Sequence, residues 1–232
     1  MQKYGESVFD VLYLVTALVL GVWLLVKRKD KAGLWMGIAT LTLGLGDAFH
    51  LVPRILAYFL SADLTLYLGI GKLITSITMT VFYVLIYHVF IQAYHLDKDK
   101  FVKTFRLPLD GVTMGIYGLA ILRIALCAFP QNDWTNGGSV LAWGIGRNVP
   151  FLLLGIVIVV LYAVKMREIK SLRPVWLWIT LSFAFYIPVV VGAGAVPVLG
   201  MLMLPKTICY VLIVASFVRY TQTVAIEDKP TE

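Results

Sequence analysis

The sequence predicts an all-α, polytopic membrane protein of seven transmembrane helices. Three observations predict it. The 232-residue chain is 60% hydrophobic and only 14% charged, a balance far from that of soluble domains. Seven apolar stretches are each long enough to cross ~30 Å of hydrocarbon at ~1.5 Å per residue. They lie near 8–26, 33–52, 65–92, 107–128, 148–166, 174–191 and 198–219. Lysine and arginine gather in alternate connections, the asymmetry that sets membrane orientation.

The first span ends in Lys27-Arg28-Lys29-Asp30-Lys31 and lacks a small-residue cleavage site, so it reads as an uncleaved anchor rather than a signal peptide. Span two carries Asp47, His50 and Arg54 at i, i+3 and i+7, one face of a helix. Span three bears a polar stripe of Lys72, Thr75, Ser76, Thr80, Tyr83 and Tyr87. Span four opens with Asp110, where a carboxylate suits a helix N-terminus, and holds Arg123 near its far end. Span five opens at Asn148, span six offers Ser182 and Tyr186, and span seven offers Lys206 and Tyr210. Pro53, Pro188 and Pro205 predict irregular, cavity-lining helix segments, and Val191–Pro197 is a small-residue turn over the same mouth. One membrane domain, residues 1–222, accounts for all of this, with 223–232 as a short tail.

Orientation follows from the basic residues. Lys27, Arg28, Lys29 and Lys31, then Lys98, Lys100, Lys103 and Arg106, then Lys165, Arg167, Lys170 and Arg173 follow spans one, three and five, and Arg219 and Lys229 follow span seven. The other side holds Lys3, Arg54 and Arg147. The N-terminus is therefore expected outside and the C-terminus in the cytoplasm, with the plasma membrane as the expected location. Loop lysines and arginines account for the net charge of +7 without a nucleic-acid partner. Gly69-Ile70-Gly71-Lys72 lacks the spacing of a phosphate-binding loop. Cys127 and Cys209 lie in apolar spans and are expected as free thiols. Three histidines without a Cys/His cluster point to no metal, and nothing in the chain calls for a cofactor.

The two ends of the chain also resemble each other. Asp10 opens span one as Asn148 opens span five, and Lys27 and Lys165 each follow 17 residues later. Ala48-Phe49-His50-Leu51 corresponds to Ala184-Phe185-Tyr186-Ile187, and Lys72 to Lys206. This predicts a parallel 3+1+3 repeat, halves 8–92 and 148–219 joined by 107–128, with a ligand site between the halves. That architecture resembles the SWEET and PQ-loop transporters and the opsin-like seven-helix proteins. Gly46-Asp47 in an early helix, with His88 on a later one, gives a fainter likeness to lysoplasmalogenase-like membrane hydrolases.

Charge in hydrocarbon costs ~2.5–3.5 kcal/mol or more per group, so the intramembrane ionisable residues should face inward. Asp47, His50, Lys72, Arg123, Tyr186 and Lys206 are expected at one level in the outer half, around a cavity that is net positive because Lys72, Lys206, Arg123 and Arg147 outnumber Asp10 and Asp47, with Asp47 paired to Lys72 or Lys206. His88 and His95 are expected at the cytosolic boundary. The favoured function is binding or transport of a small anionic or amphiphilic molecule, with membrane lipids as the other partner. An intramembrane lipid hydrolase using Asp47 to orient His50 is the alternative. A Schiff base between Lys206 and a retinal-like chromophore, which the opsin likeness implies, is the remote one.

Overall fold

A computed structural model describes residues 2–60, 62–95, 98–136 and 141–227. Eight α-helices run α1 (Gln2–Lys27), α2 (Lys31–Phe59), α3 (Thr65–Ala93), α4 (Lys98–Phe105), α5 (Leu109–Ala128), α6 (Leu141–Lys165), α7 (Val175–Gly192) and α8 (Met203–Glu227), with no strand among the described residues. All but α4 are long and apolar enough to cross a membrane, α8 together with the 3₁₀ turn Pro197–Leu202 before it. The seven-helix, all-α architecture is thus as expected.

Helix limits reach past the hydropathy limits wherever polar residues sit on an inward face. α1 starts six residues before position 8 and carries Glu6 and Asp10 in its first turns, while its opposite face presents Val8, Val11, Val15, Val19 and Val22 outward. Polar inside and apolar outside is the pattern of a helix solvated by lipid. α2 does not stop at Pro53; it continues to Phe59, where the Leu60 amide closes on the Leu56 carbonyl at 2.8 Å. Proline removes only its own N–H donor, and one lost bond does not end a helix held by neighbours. α4 was legible only as a basic loop; Phe101 and Phe105, four apart with ring centroids 4.7 Å apart, give it an anchoring face.

Consecutive membrane helices are neighbours around the bundle, and α1 meets α8 to close the ring. α3 is the most enclosed, touching α2, α5 and α6 and burying Phe82, Tyr83, Ile86, Tyr87 and Phe90. The Tyr162 hydroxyl on α6 donates to the Ile86 carbonyl at 2.9 Å, tying α6 across the ring to α3. Neighbour order of this kind holds in any sequential ring, so it does not show the expected 3+1+3 repeat. Short connections alternate the helix directions, which brings the starts of α1, α3, α6 and α8 and the ends of α2, α5 and α7 to one end of the bundle.

The α2–α3 crossing is set by glycine. A Cβ on Gly71 would lie 2.8 Å from the Cα of His50 and collide with the Phe49 carbonyl. Gly71→Ala must therefore push the backbones apart, and a loss of ~1–3 kcal/mol of stability is expected from overpacking. Thermal unfolding checks this; a wild-type melting temperature would refute the close contact.

Candidate functional site

At that shared end, α1, α2, α3 and α8 enclose a polar cavity in two steps. The upper part is a vestibule of about 660 Å³ lined by His50, Arg54, Tyr58, Lys72, Pro197 and Met201, among others. Beneath it lies a chamber of about 70 Å³ reached by Asp10, Asp47, His50, Thr75, Lys206 and Tyr210. Glu6, His50, Arg54, Gly200, Met201 and Met203 border both. The 3₁₀ turn Pro197–Leu202, reached through the turn that follows Gly192, supplies the roof between them.

The walls are built by helical spacing. Glu6, Asp10 and Tyr13 stand at i, i+4 and i+7 on α1, descending one face, and all three are buried. Glu6 accepts from Tyr58 at 2.8 Å and forms a salt bridge with Arg54, so a pair from α1 and α2 closes the upper wall. Asp10, 4% exposed, leaves its Oδ2 buried with no hydrogen-bond partner. Asp47 accepts a 2.6 Å bond from the Tyr13 hydroxyl. Thr75 donates to the Gly46 carbonyl at 3.0 Å, fixing α3 against the Asp47 turn.

Lys206 enters from α8, where Pro205 precedes it in the first turn. Its Nζ lies 4.6 Å from the centroid of the Tyr186 ring and 5.2 Å from that of Tyr210. The lysine is 9% exposed, and no carboxylate of a described residue lies within ion-pair distance of it. Asp47, on the same chamber wall, is the carboxylate whose charge acts on it.

Of the six expected site residues, Asp47, His50 and Lys206 face the chamber, and Lys72 stands exposed in the vestibule with His50. Tyr186 touches the site only through its ring under Lys206; its hydroxyl donates to Asn148 Oδ1 at 2.9 Å, in an apolar groove between α6 and α7. Arg123 lines neither part. Its guanidinium carbon lies 3.3 Å from the Phe151 ring centroid, outside the cavity.

Three expectations are corrected. Asp47 does not pair with Lys72 or Lys206; a tyrosine one helix away is nearer and takes the carboxylate. It does not orient His50 either, whose Nδ1 is buried without a partner. The cavity is not net positive. Arg123 leaves it for Phe151, and Arg147 leaves it for Asn132 Oδ1 at 2.6 Å and the Trp134 ring. Glu6 joins it, so across both parts Glu6, Asp10 and Asp47 balance Arg54, Lys72 and Lys206. The polar stripe of α3 divides among separate contacts. Ser76 and Thr80 donate to the carbonyls of Lys72 and Ser76, and Tyr87 meets Thr113 at 2.6 Å on α5.

Away from the site, His88 stacks on Trp35 at 4.7 Å and bonds Tyr117 at 2.7 Å, which joins α2, α3 and α5. Both cysteines are free and buried, as expected. Among the described residues no group of His, Cys, Asp and Glu is arranged to hold a metal. Compared with known protein families, with curated proteins and with solved structures, the chain has no significant match.

Proposed function

We propose that this protein binds, and moves or senses, a small anionic or amphiphilic molecule whose anionic group is held by Lys206. The observation that carries the reading is Lys206 itself: a buried ammonium with two tyrosine faces and no carboxylate in ion-pair range. Cation–π contacts contribute ~0.5–2 kcal/mol, less than the several kcal/mol that burying a lone charge costs. An anion completes the account, and the chamber gives it a place.

The vestibule supplies access. Its wall combines Lys72 and Arg54 with Val198, Met201 and Met203, polar and apolar surface side by side, which suits an amphiphile. The crowding of Lys27, Arg28, Lys29, Lys31, Lys103, Lys165 and Arg173 at the other end supports a cytoplasmic location for that end. The cavity then opens to the outside of the plasma membrane, with the N-terminus. In the repeat reading Lys72 and Lys206 are equivalent positions used at two depths, one to attract and one to hold.

Native mass spectrometry of protein extracted with its lipids tests the site. Wild type is expected to retain a ligand whose occupancy falls about tenfold or more in Lys72→Gln/Lys206→Gln, since a charge-assisted contact is worth ~1.5–3 kcal/mol. Equal occupancy in both proteins would remove the site from this cavity.

A further inference from the structure

We propose that the molecule held in the chamber is a small zwitterion with a primary ammonium and a carboxylate, of the amino-acid type. This rests on the reading that Lys206 holds an anionic group, and it adds the other half of the molecule.

The argument comes from what the chamber leaves unsatisfied. Glu6 and Arg54 neutralise each other at its upper wall. Below them remain two carboxylates, Asp10 and Asp47, against one ammonium, Lys206. No cation of a described residue lies within ion-pair distance of either carboxylate, and Asp10 Oδ2 is buried without a single hydrogen bond. Both signs are therefore present, both are short of partners, and an enclosed space lies between them.

A plain anion would satisfy Lys206 while adding negative charge beside Asp10 and Asp47, where Coulomb repulsion is only weakly screened. A plain cation would do the reverse and leave Lys206 alone. A zwitterion serves both ends at once. Its carboxylate accepts from Lys206 Nζ, and its ammonium, with three donors, reaches Asp10 Oδ2 and the Asp47 oxygens. The chamber leaves its net charge unchanged on binding. Size agrees as well, because about 70 Å³ holds roughly five waters, the bulk of glycine or alanine. A quaternary ammonium is disfavoured, since the tyrosine faces that would receive it are already occupied by Lys206.

The test uses the full chain in lipid nanodiscs, with thermal unfolding and calorimetry against glycine, alanine, acetate and methylammonium at equal concentrations. Glycine or alanine is expected to bind and raise the melting temperature of the wild type, while acetate and methylammonium leave it unchanged. Asp10→Asn and Lys206→Gln should each weaken glycine or alanine binding about tenfold or more. The wild-type series decides by itself if a variant fails to fold. Acetate binding as tightly as both amino acids would overturn the zwitterion and leave the anionic-group reading standing. No response to any of the four, with a Lys206-dependent ligand of other chemistry found by mass spectrometry, would overturn it in the same way. No response and no Lys206-dependent ligand would overturn both.

Discussion

Tyr13→Phe is expected to destabilise the folded bundle by about 2 kcal/mol, because it strips a partly buried carboxylate of a charge-assisted hydrogen bond while leaving the ring in place. The bond from Tyr13 to Asp47 is 2.6 Å long and joins α1 to α2, with Tyr13 buried and Asp47 partly buried at the chamber wall. The Tyr13 ring stays in place and fills the position of the lost donor, so water from the chamber reaches only the other side of the carboxylate, and a charge-assisted bond worth ~1.5–3 kcal/mol is lost on the Tyr13 side. The pairing makes a sharper statement than either single change. In an Asp47→Leu background the hydroxyl has no acceptor, and removing it should then be neutral or mildly stabilising. A double-mutant cycle is therefore expected to give a coupling of ~1–3 kcal/mol, read from thermal unfolding in a fixed detergent or lipid. Equal effects of Tyr13→Phe in both backgrounds would show that Asp47 does not depend on Tyr13.

How much of this site was legible in the sequence depends on which physical rule governs each residue. Span count follows from composition and a fixed rise per residue, and so does the placing of Asp47, His50, Lys72 and Lys206 at one end of the bundle, although Lys72 stands in the vestibule and Lys206 in the chamber. Which neighbour a charge chooses is a different question. Asp47 was expected to find a lysine because opposite charges attract, yet partner choice depends on rotamers and helix rotation, which spacing alone does not determine. Glu6 was missed for a simpler reason. A hydropathy limit at position 8 placed it outside the helix, although Glu6, Asp10 and Tyr13 at i, i+4 and i+7 form a polar face that could have been read. Arg147 and Arg123 were assigned to the cavity by depth. Depth is a single coordinate, and the ring position that sends one to Trp134 and the other to Phe151 is set by the α5–α6 connection. In that connection Asn132 donates to the Leu126 and Phe129 carbonyls at 2.8 Å, and Trp134 to that of Cys127 at 2.8 Å, closing the end of α5 and holding Arg147. No periodicity announces such a plug.

Arg123→Met is expected to raise stability by about 1–3 kcal/mol, as replacing a buried charge with a hydrophobe of similar length often does. Arg123 is 2% exposed, and its Nε and one Nη are buried without a hydrogen-bond partner. No carboxylate of a described residue pairs with it. The Phe151 face at 3.3 Å offsets part of that deficit, a desolvated cation–π contact being worth ~2 kcal/mol, but burying a guanidinium costs several. Methionine retains the length and flexibility to cover Phe151, which itself packs on Tyr83 at 5.0 Å and Phe183 at 5.1 Å. Arg123→Ala separates the two contributions, since it removes the charge and also leaves a void among those rings, costing ~2–4 kcal/mol relative to methionine. Thermal unfolding of the three proteins in the same lipid gives the order Met above wild type, and Ala below Met. A methionine variant clearly less stable than wild type would mean that the guanidinium has an anionic partner in the membrane, and that the arginine is held in place by what it binds rather than tolerated.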